Sequence, residues 1–275
     1  MIVNLLLAIL KIIGGTVSNS PSLLADGYHS IADLATNLIA WLGFRVAAQP
    51  PDEDHHYGHG KAEAAAAAFV GTALVAVAIA VLWESVGGRA QAYEGIQGTV
   101  ALGAAVISLL GNEWLVRVTM RSAHELDSHA LRALARDNRS DSLTSVLVIG
   151  GVGAALLGIE WVEPIATAVI GLFIGAMGLK SLSEGFDVLM DRVTDPEMRG
   201  RIEGSAGEVA GVVEVEDVLI HPLGSRFRVE MEVSVDGALS VRKGHEIAHE
   251  VESAVKHSEQ RVVHVAVHVN PASSP

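Results

Sequence analysis

The stretch Leu23 to Val46, LLADGYHSIADLATNLIAWLGFRV, constrains this chain more than any other. It is apolar enough and long enough to cross a bilayer, which takes roughly 20 residues. Yet it carries Asp26, His29, Asp33 and Asn37. Steps of three and four put all four on one stripe of a helix. Ionisable groups at membrane depth are costly and face a pathway or a partner rather than lipid. The stripe therefore reads as half of a cation site.

A second such stretch, LRALARDNRSDSLTSVLVIGG, places Asp137 and Asp141 four residues apart at the start of another apolar run. Side by side, the two helices would bring an imidazole and three carboxylates to a point. Nitrogen and oxygen donors of this kind suit a small divalent cation: imidazole favours zinc, iron or nickel, and carboxylates favour manganese or magnesium. A plainer reading stands beside it. An aspartate alone in an apolar helix can be an interhelical hydrogen-bond partner, and Asp137 can be the wet end of its span.

Half of the 275 residues are hydrophobic although the formal charge is -13. That combination fits a chain with much of its surface in lipid better than it fits a soluble domain. Residues 1 to 190 hold ten Lys+Arg and 17 Asp+Glu, mostly between the apolar runs, and residues 191 to 275 hold nine and 15 with no run of span length. The shift marks a membrane domain at 1–190 followed by a soluble domain at 191–275. An acidic chain lacks the basic patches that nucleic acid requires. With no cysteine, any metal must be held by His, Asp and Glu.

Six spans are expected, at Ile2 to Val17, Leu23 to Val46, Ala64 to Val86, Ile96 to Met120, Ala130 to Gly158 and Ile165 to Leu182. The first, at ~1.5 Å per residue, covers only about 25 Å. Ser18 to Ser22, with Pro21, reads as a tight turn into the second. Basic residues near the span ends set orientation. Arg45, Lys61, Arg117, Arg121, Arg132 and Arg136 fall on one side, and the opposite loops hold only Arg89. Both termini, and the soluble tail, are thus expected in the cytoplasm. In that tail a helix is predicted over Pro196 to Gly207, strands at Val212 to Ile220 and Arg226 to Val235, a helix at Val241 to His257 and a strand at Val262 to Val269. The order predicts a small α+β sheet with helices on one face, and with Glu230, Glu232, His264 and His268 on the other.

The segments LLADGYHSIADLATN, QPPDEDHHYGHGKAE, ARDNRSDSLTS and LMDR, followed by the tail, resemble the cation diffusion facilitator family over nearly the whole chain. The resemblance implies six membrane helices, a homodimer, a cytoplasmic ferredoxin-like domain for dimerisation and regulation, and export of a divalent transition metal in exchange for protons. Beyond the transported ion, whether iron(II), manganese(II) or zinc, it implies no cofactor. Carried over position by position, the transport tetrad falls on His29, Asp33, Asp137 and Asp141. Zinc-transporting members commonly have His where this chain has Asp137, which leans the chain toward harder ions. The arrangement is also similar to the magnetosome iron-transporting branch, which leaves either the cell's inner membrane or a magnetosome-type membrane as the setting. Asp52, His55 and His59 match a second metal position of some relatives, with a solvated turn as the alternative. Lys61 and Asp191 match a pair that locks the membrane helices together. In the tail, Glu230, His245 and His268 are candidates for a further metal, although Glu216, Glu230 and Asn270 depart from the residues of zinc members.

Binding requires deprotonated ligands, so uptake of metal releases protons and uptake of protons releases metal. Two rivals remain. An intramembrane metalloenzyme would need a general-base constellation, and the only HExxH spacing, His245, Glu246 and His249, lies in the soluble tail. A non-transporting relative that senses metal or serves as an assembly platform is argued against by the intact tetrad.

Overall fold

The structure, a computed structural model, describes residues 2–87, 93 and 96–272, and the side chains of all of these but 129 and 130. Most of the link between the third and fourth spans, Arg89 included, lies outside the described residues. The chain divides into two compact units, Met1–Ile39 with Phe69–Leu182, and Ala40–Ala68 with Ser183–Pro275.

The first unit is built from helices, and three of them have residues in the second unit as well. The elements are α1 (Ile2–Ser18), α2 (Pro21–Ala47), α3 (Ala62–Gly87), α4 (Gln97–Glu125), α5 (His129–Leu156) and α6 (Val162–Leu189). Among the described residues, α3, α4 and α6 are long and apolar enough to cross a membrane by length and composition alone. The polar stripes of α2 and α5 dilute their apolar character, and α1 has only 17 residues. The turn between α1 and α2 is tighter than expected. Only Asn19 and Ser20 separate them, with Asn19 in the left-handed conformation at φ 55°, which asparagine tolerates better than most residues. The arginine-rich stretch after the fourth span continues the helices on either side. The break is confined to Leu126–Ser128, and Ser128 caps α5 by accepting the Leu131 N–H at 3.3 Å.

Small residues let these helices approach. The core combines Leu23, Val70, Leu74, Val148, Val152, Ile170 and Ile174 with alanines such as Ala25, Ala78, Ala101, Ala104 and Ala105. Gly71 on α3 meets α6 so closely that a Cβ on it would lie 2.7 Å from the Gly178 carbonyl oxygen. Close backbone approach through small residues is how membrane helices associate when lipid offers no hydrophobic penalty. The outer surface is correspondingly apolar, with Leu5, Leu6, Ile9, Ile13 and Val17 exposed on α1, Trp83 on α3 and Leu110 and Trp114 on α4.

In the second unit, α7 (Met198–Gly207), β1 (Val212–Leu223), β2 (Arg226–Val235), α8 (Val241–Ser258) and β3 (Val262–Pro271) follow in the expected order. The three strands lie side by side as β1-β2-β3, the first pair antiparallel and the second parallel. A parallel neighbour demands a crossover, and α8 supplies it. Strict alternation in β2 buries Phe227, Val229, Met231, Val233 and Val235. They pack against Met198 and Ile202 of α7 and Ile247, Val251 and Val255 of α8 in one core. Glu232 and His268 are register partners on the face away from the helices, as are Arg228 and His264. The loop before α3 belongs to this unit and lies against β1: a Cβ on Gly60 would sit 2.8 Å from the Leu223 carbonyl oxygen.

Candidate metal centre

Three of the four tetrad residues converge. His29 and Asp33 lie one turn apart on α2, and Asp141 approaches from α5. His29 Nε2 stands 3.7 Å from Asp33 Oδ2 and 3.4 Å from Asp141 Oδ1, and one ligand atom from each of the three falls within 4.8 Å of the others. His29 is almost wholly buried, while Asp33 and Asp141 keep side-chain exposures of 28% and 13%, enough for an ion to reach them. His29 Nδ1 is buried and has no hydrogen-bond partner among the described residues. Nε2–H faces the two carboxylate oxygens as a donor, and a cation that takes Nε2 leaves the proton of the neutral imidazole on Nδ1. Asp137, one turn before Asp141, is exposed and stands outside this group of three. Both Asp141 and Lys180 are within electrostatic reach of it.

A small cavity opens beside the carboxylates. Asp33 and Asp141 line it together with Ser30, Asn4, Asn37 and Asn112. Asn112 is 3% exposed and its amide nitrogen has no partner among the described residues. Leu7 and Leu34 complete the lining, and the amides, the hydroxyl and the two carboxylates offer oxygen contacts to one water or one small ion.

Asp26, the first member of the polar stripe, is not in the ligand group. It is fully buried, bound to Lys11 Nζ at 3.0 Å, and accepts hydrogen bonds from Thr144 Oγ1 at 2.7 Å and Ser145 Oγ at 3.1 Å. The hydrogen-bond reading of an aspartate in an apolar helix holds for it. Glu163 plays a comparable part at the head of α6, where Ser20, Ser22 and Tyr93 hydroxyls all donate to Oε1, at 2.6, 2.9 and 2.6 Å.

Asp52, His55 and His59 also gather. Asp52 Oδ1 lies 3.1 Å from His55 Nδ1 and Oδ2 lies 3.3 Å from His59 Nε2, and the two rings are 4.4 Å apart. Backbone N–H groups of His55 and Asp54 donate to Asp52 Oδ1 and hold its carboxyl below the usual carboxylate range. His59 Nδ1 is buried, with no partner among the described residues. Lys61 Nζ donates to Asp191 Oδ1 at 2.9 Å, and His221 Nδ1 stands 3.4 Å from the other oxygen, a third member that the sequence pattern did not single out.

The tail candidates Glu230, His245 and His268 are not brought to one point. Among the described residues they form no group of converging ligand atoms. The reason is the sheet: Glu230 and His268 line a hollow with Asp217 and Glu232 on its open face, whereas His245 rides on α8. There its Nε2 lies 3.2 Å from that of His249. Arg228 pairs with Glu230 at 3.2 Å, and Asn270 donates to Glu216 at 2.9 Å and Glu232 at 3.3 Å. Glu246, the acid of the HExxH spacing, is exposed and paired with Lys243 at 3.1 Å.

Residues 1–190 match the family model of the cation efflux transmembrane domain, and residues 194–272 that of the cation efflux protein cytoplasmic domain. Among curated proteins, an uncharacterized transporter of Methanocaldococcus jannaschii is 32% identical, over 97% of this chain and 94% of that protein. The manganese efflux system proteins MneP and MneS of Bacillus subtilis are each 30% identical. The first match covers 98% of this chain and 93% of MneP, the second 97% and 91% of MneS. A solved C-terminal domain of MamM in a cadmium form is 27% identical over 28% of this chain and 98% of that one, with a TM-score of 0.28.

Proposed function

The chain belongs to the cation efflux family, and from that premise we propose that it exports manganese(II) in exchange for protons, with the ion held between α2 and α5 by His29, Asp33 and Asp141. It is a multi-pass membrane transporter of metal cations, not an enzyme. The observation that carries the site is the convergence of three donor atoms, from two helices, within 4.8 Å. Asp137, one turn along α5, completes the set as a fourth ligand when the helices shift. Three carboxylates and one imidazole form a hard, oxygen-rich set, which suits manganese(II) or iron(II) better than zinc. The two manganese efflux relatives support the same choice.

Proton coupling follows from the ligands themselves, since a carboxylate or imidazole cannot hold a proton and the metal on one atom. Metal arriving from the cytoplasm expels protons, and protons arriving on the far side expel metal. Two copies of the chain act as a homodimer, with residues 1–190 as the transport domain and residues 191–275 as the cytoplasmic dimerisation and regulatory domain. Both termini lie in the cytoplasm, and the host is the cell's inner membrane or a magnetosome-type compartment. Asp52, His55 and His59 form a second, loop-borne metal position.

The test is transport by purified protein in sealed proteoliposomes. Manganese(II) flux should rise with an imposed pH gradient and disappear in Asp33→Ala. Flux that persists in Asp33→Ala removes the site, and flux indifferent to the gradient removes the antiport.

A further inference from the structure

Lys11 is the only charged residue of α1, and it is fully buried. Its ammonium lies 3.0 Å from Asp26 Oδ1 and donates to Ser30 Oγ at 2.9 Å. With Thr144 and Ser145 also bound to Asp26, three helices meet on one ion pair. Cohesion alone is a weak reason for such a pair, because well-packed apolar residues of similar volume usually serve as well or better. Its position is more telling. Asp26 is one turn from His29 on the same stripe of α2, Ser30 follows His29 directly, and Thr144 is one turn from Asp141 on α5. The pair thus adjoins the ligands on both helices that supply them, and Asp26 is the one carboxylate of the α2 stripe that is kept from them.

We propose that Lys11 determines the affinity and selectivity of the transport site by holding Asp26 in an ion pair, so that a bound divalent cation meets one negative charge fewer than the stripe could offer. Resting on the assignment of His29, Asp33 and Asp141 as ligands, the proposal adds a fixed cation of the protein to the site's electrostatics. A site whose charge is set low releases its ion more readily, which an exporter needs. It also makes the two partners unequal. Loss of the ammonium leaves a bare carboxylate near the ligands and strengthens cation binding. Loss of the carboxylate leaves a bare ammonium and weakens it. A structural clamp would weaken in both cases.

The experiment measures manganese(II) binding by full-length protein in detergent at constant pH, for the wild type, Lys11→Met, Asp26→Asn, the double variant and Asp33→Ala. Lys11→Met should bind at least about tenfold more tightly and Asp26→Asn at least about tenfold more weakly, as one unit charge at effective interior dielectric allows. The double variant should return to within about threefold of the wild type. In vesicles Lys11→Met should turn over more slowly at saturating manganese. Weaker binding in both single variants, or unchanged binding in Lys11→Met, overturns the proposal. If Lys11→Met does not fold, the double variant compared with Asp26→Asn decides, because removing the unpaired ammonium must raise affinity and a null result overturns the proposal. Binding by the wild type that Asp33→Ala leaves intact is a different failure: the ligand assignment falls first and the role of Lys11 with it.

Discussion

His29 Nε2 on α2 lies 3.4 Å from Asp141 Oδ1 on α5, and that contact joins the two polar stripes. Both groups are largely withdrawn from water, where a bare carboxylate is unfavourable unless a cation or hydrogen bonds compensate it. Asp141→Asn keeps the shape and removes the charge and one strong donor. Because the loss of even an outer partner of a metal ligand commonly costs 10- to 100-fold in affinity, loss of a ligand should cost about a hundredfold or more in manganese(II) affinity. Isothermal titration of full-length protein reads this directly. An affinity within a few fold of the wild type would remove Asp141 from the ligand set.

Asp137 gives a graded contrast. It is exposed and outside the converging trio, so Asp137→Asn should weaken manganese(II) binding less than Asp141→Asn does. Asp137→His should move preference from manganese toward zinc, because imidazole is the softer donor. Competition between the two ions in Asp137→His and in the wild type checks this. An unchanged preference would mean that the residue never joins the coordination sphere.

The two helices that carry the proposed ligands were legible because one face of an apolar helix cannot hide four polar side chains, and their three- and four-residue steps are kept in the folded protein. The tail was legible too, since the alternation of β2 leaves Phe227 to Val235 one way to lie. What sequence spacing does not encode is the rotation of one helix against another. Lys11 and Asp26 appear as isolated charges in the chain, and only the phasing of α1 on α2 makes them a pair. The same limit separated His245 from Glu230 and His268, the three tail candidates: a sheet stands between the helix and the open face. His221 reads from the sequence as an ordinary solvated residue, because its partner, Asp191, follows the end of α6 and is far from it in the chain.

Asp191 makes a pH-dependent contribution to the second unit. Burial alone would raise its carboxyl pKa, but the hydrogen bond and charge of Lys61, joined by His221, hold it below the ordinary value of 3.8. The folded pKa is thus the lower of the two, so the stabilisation is full above the unfolded value and fades as pH falls through the folded one. Asp191 adopts φ 59°, a conformation that asparagine accepts, so Asp191→Asn isolates the charge. Its partner Lys61 is 41% exposed, and a half-solvated pair of this kind contributes about 1 kcal/mol or less. Melting curves should show the variant slightly less stable than the wild type above about pH 5, with the gap closing as pH falls below 3.8. A gap that widens toward acid would contradict the pairing.

Gly71 and Gly103 test whether close helix approach stabilises the first unit. Both are helical glycines, on α3 and α4, and alanine is intrinsically the better helix former by about 1 kcal/mol. At Gly103 an added Cβ would meet no atom of another element within 4 Å among the described residues, so Gly103→Ala should be neutral or slightly stabilising. At Gly71 the Cβ would meet α6 backbone, 2.7 Å from the Gly178 carbonyl oxygen and 2.8 Å from the Leu182 Cα. Backbone cannot swing aside as a flexible side chain can, so the helices must separate. Overpacking of this kind costs about 1–3 kcal/mol, and in a chain of this length each kcal/mol moves the melting temperature by roughly 2–4 °C. Gly71→Ala should therefore melt several degrees below the wild type in detergent while Gly103→Ala does not. Equal melting of the two variants would show that α3 and α6 have room to spare where the structure packs them backbone to backbone.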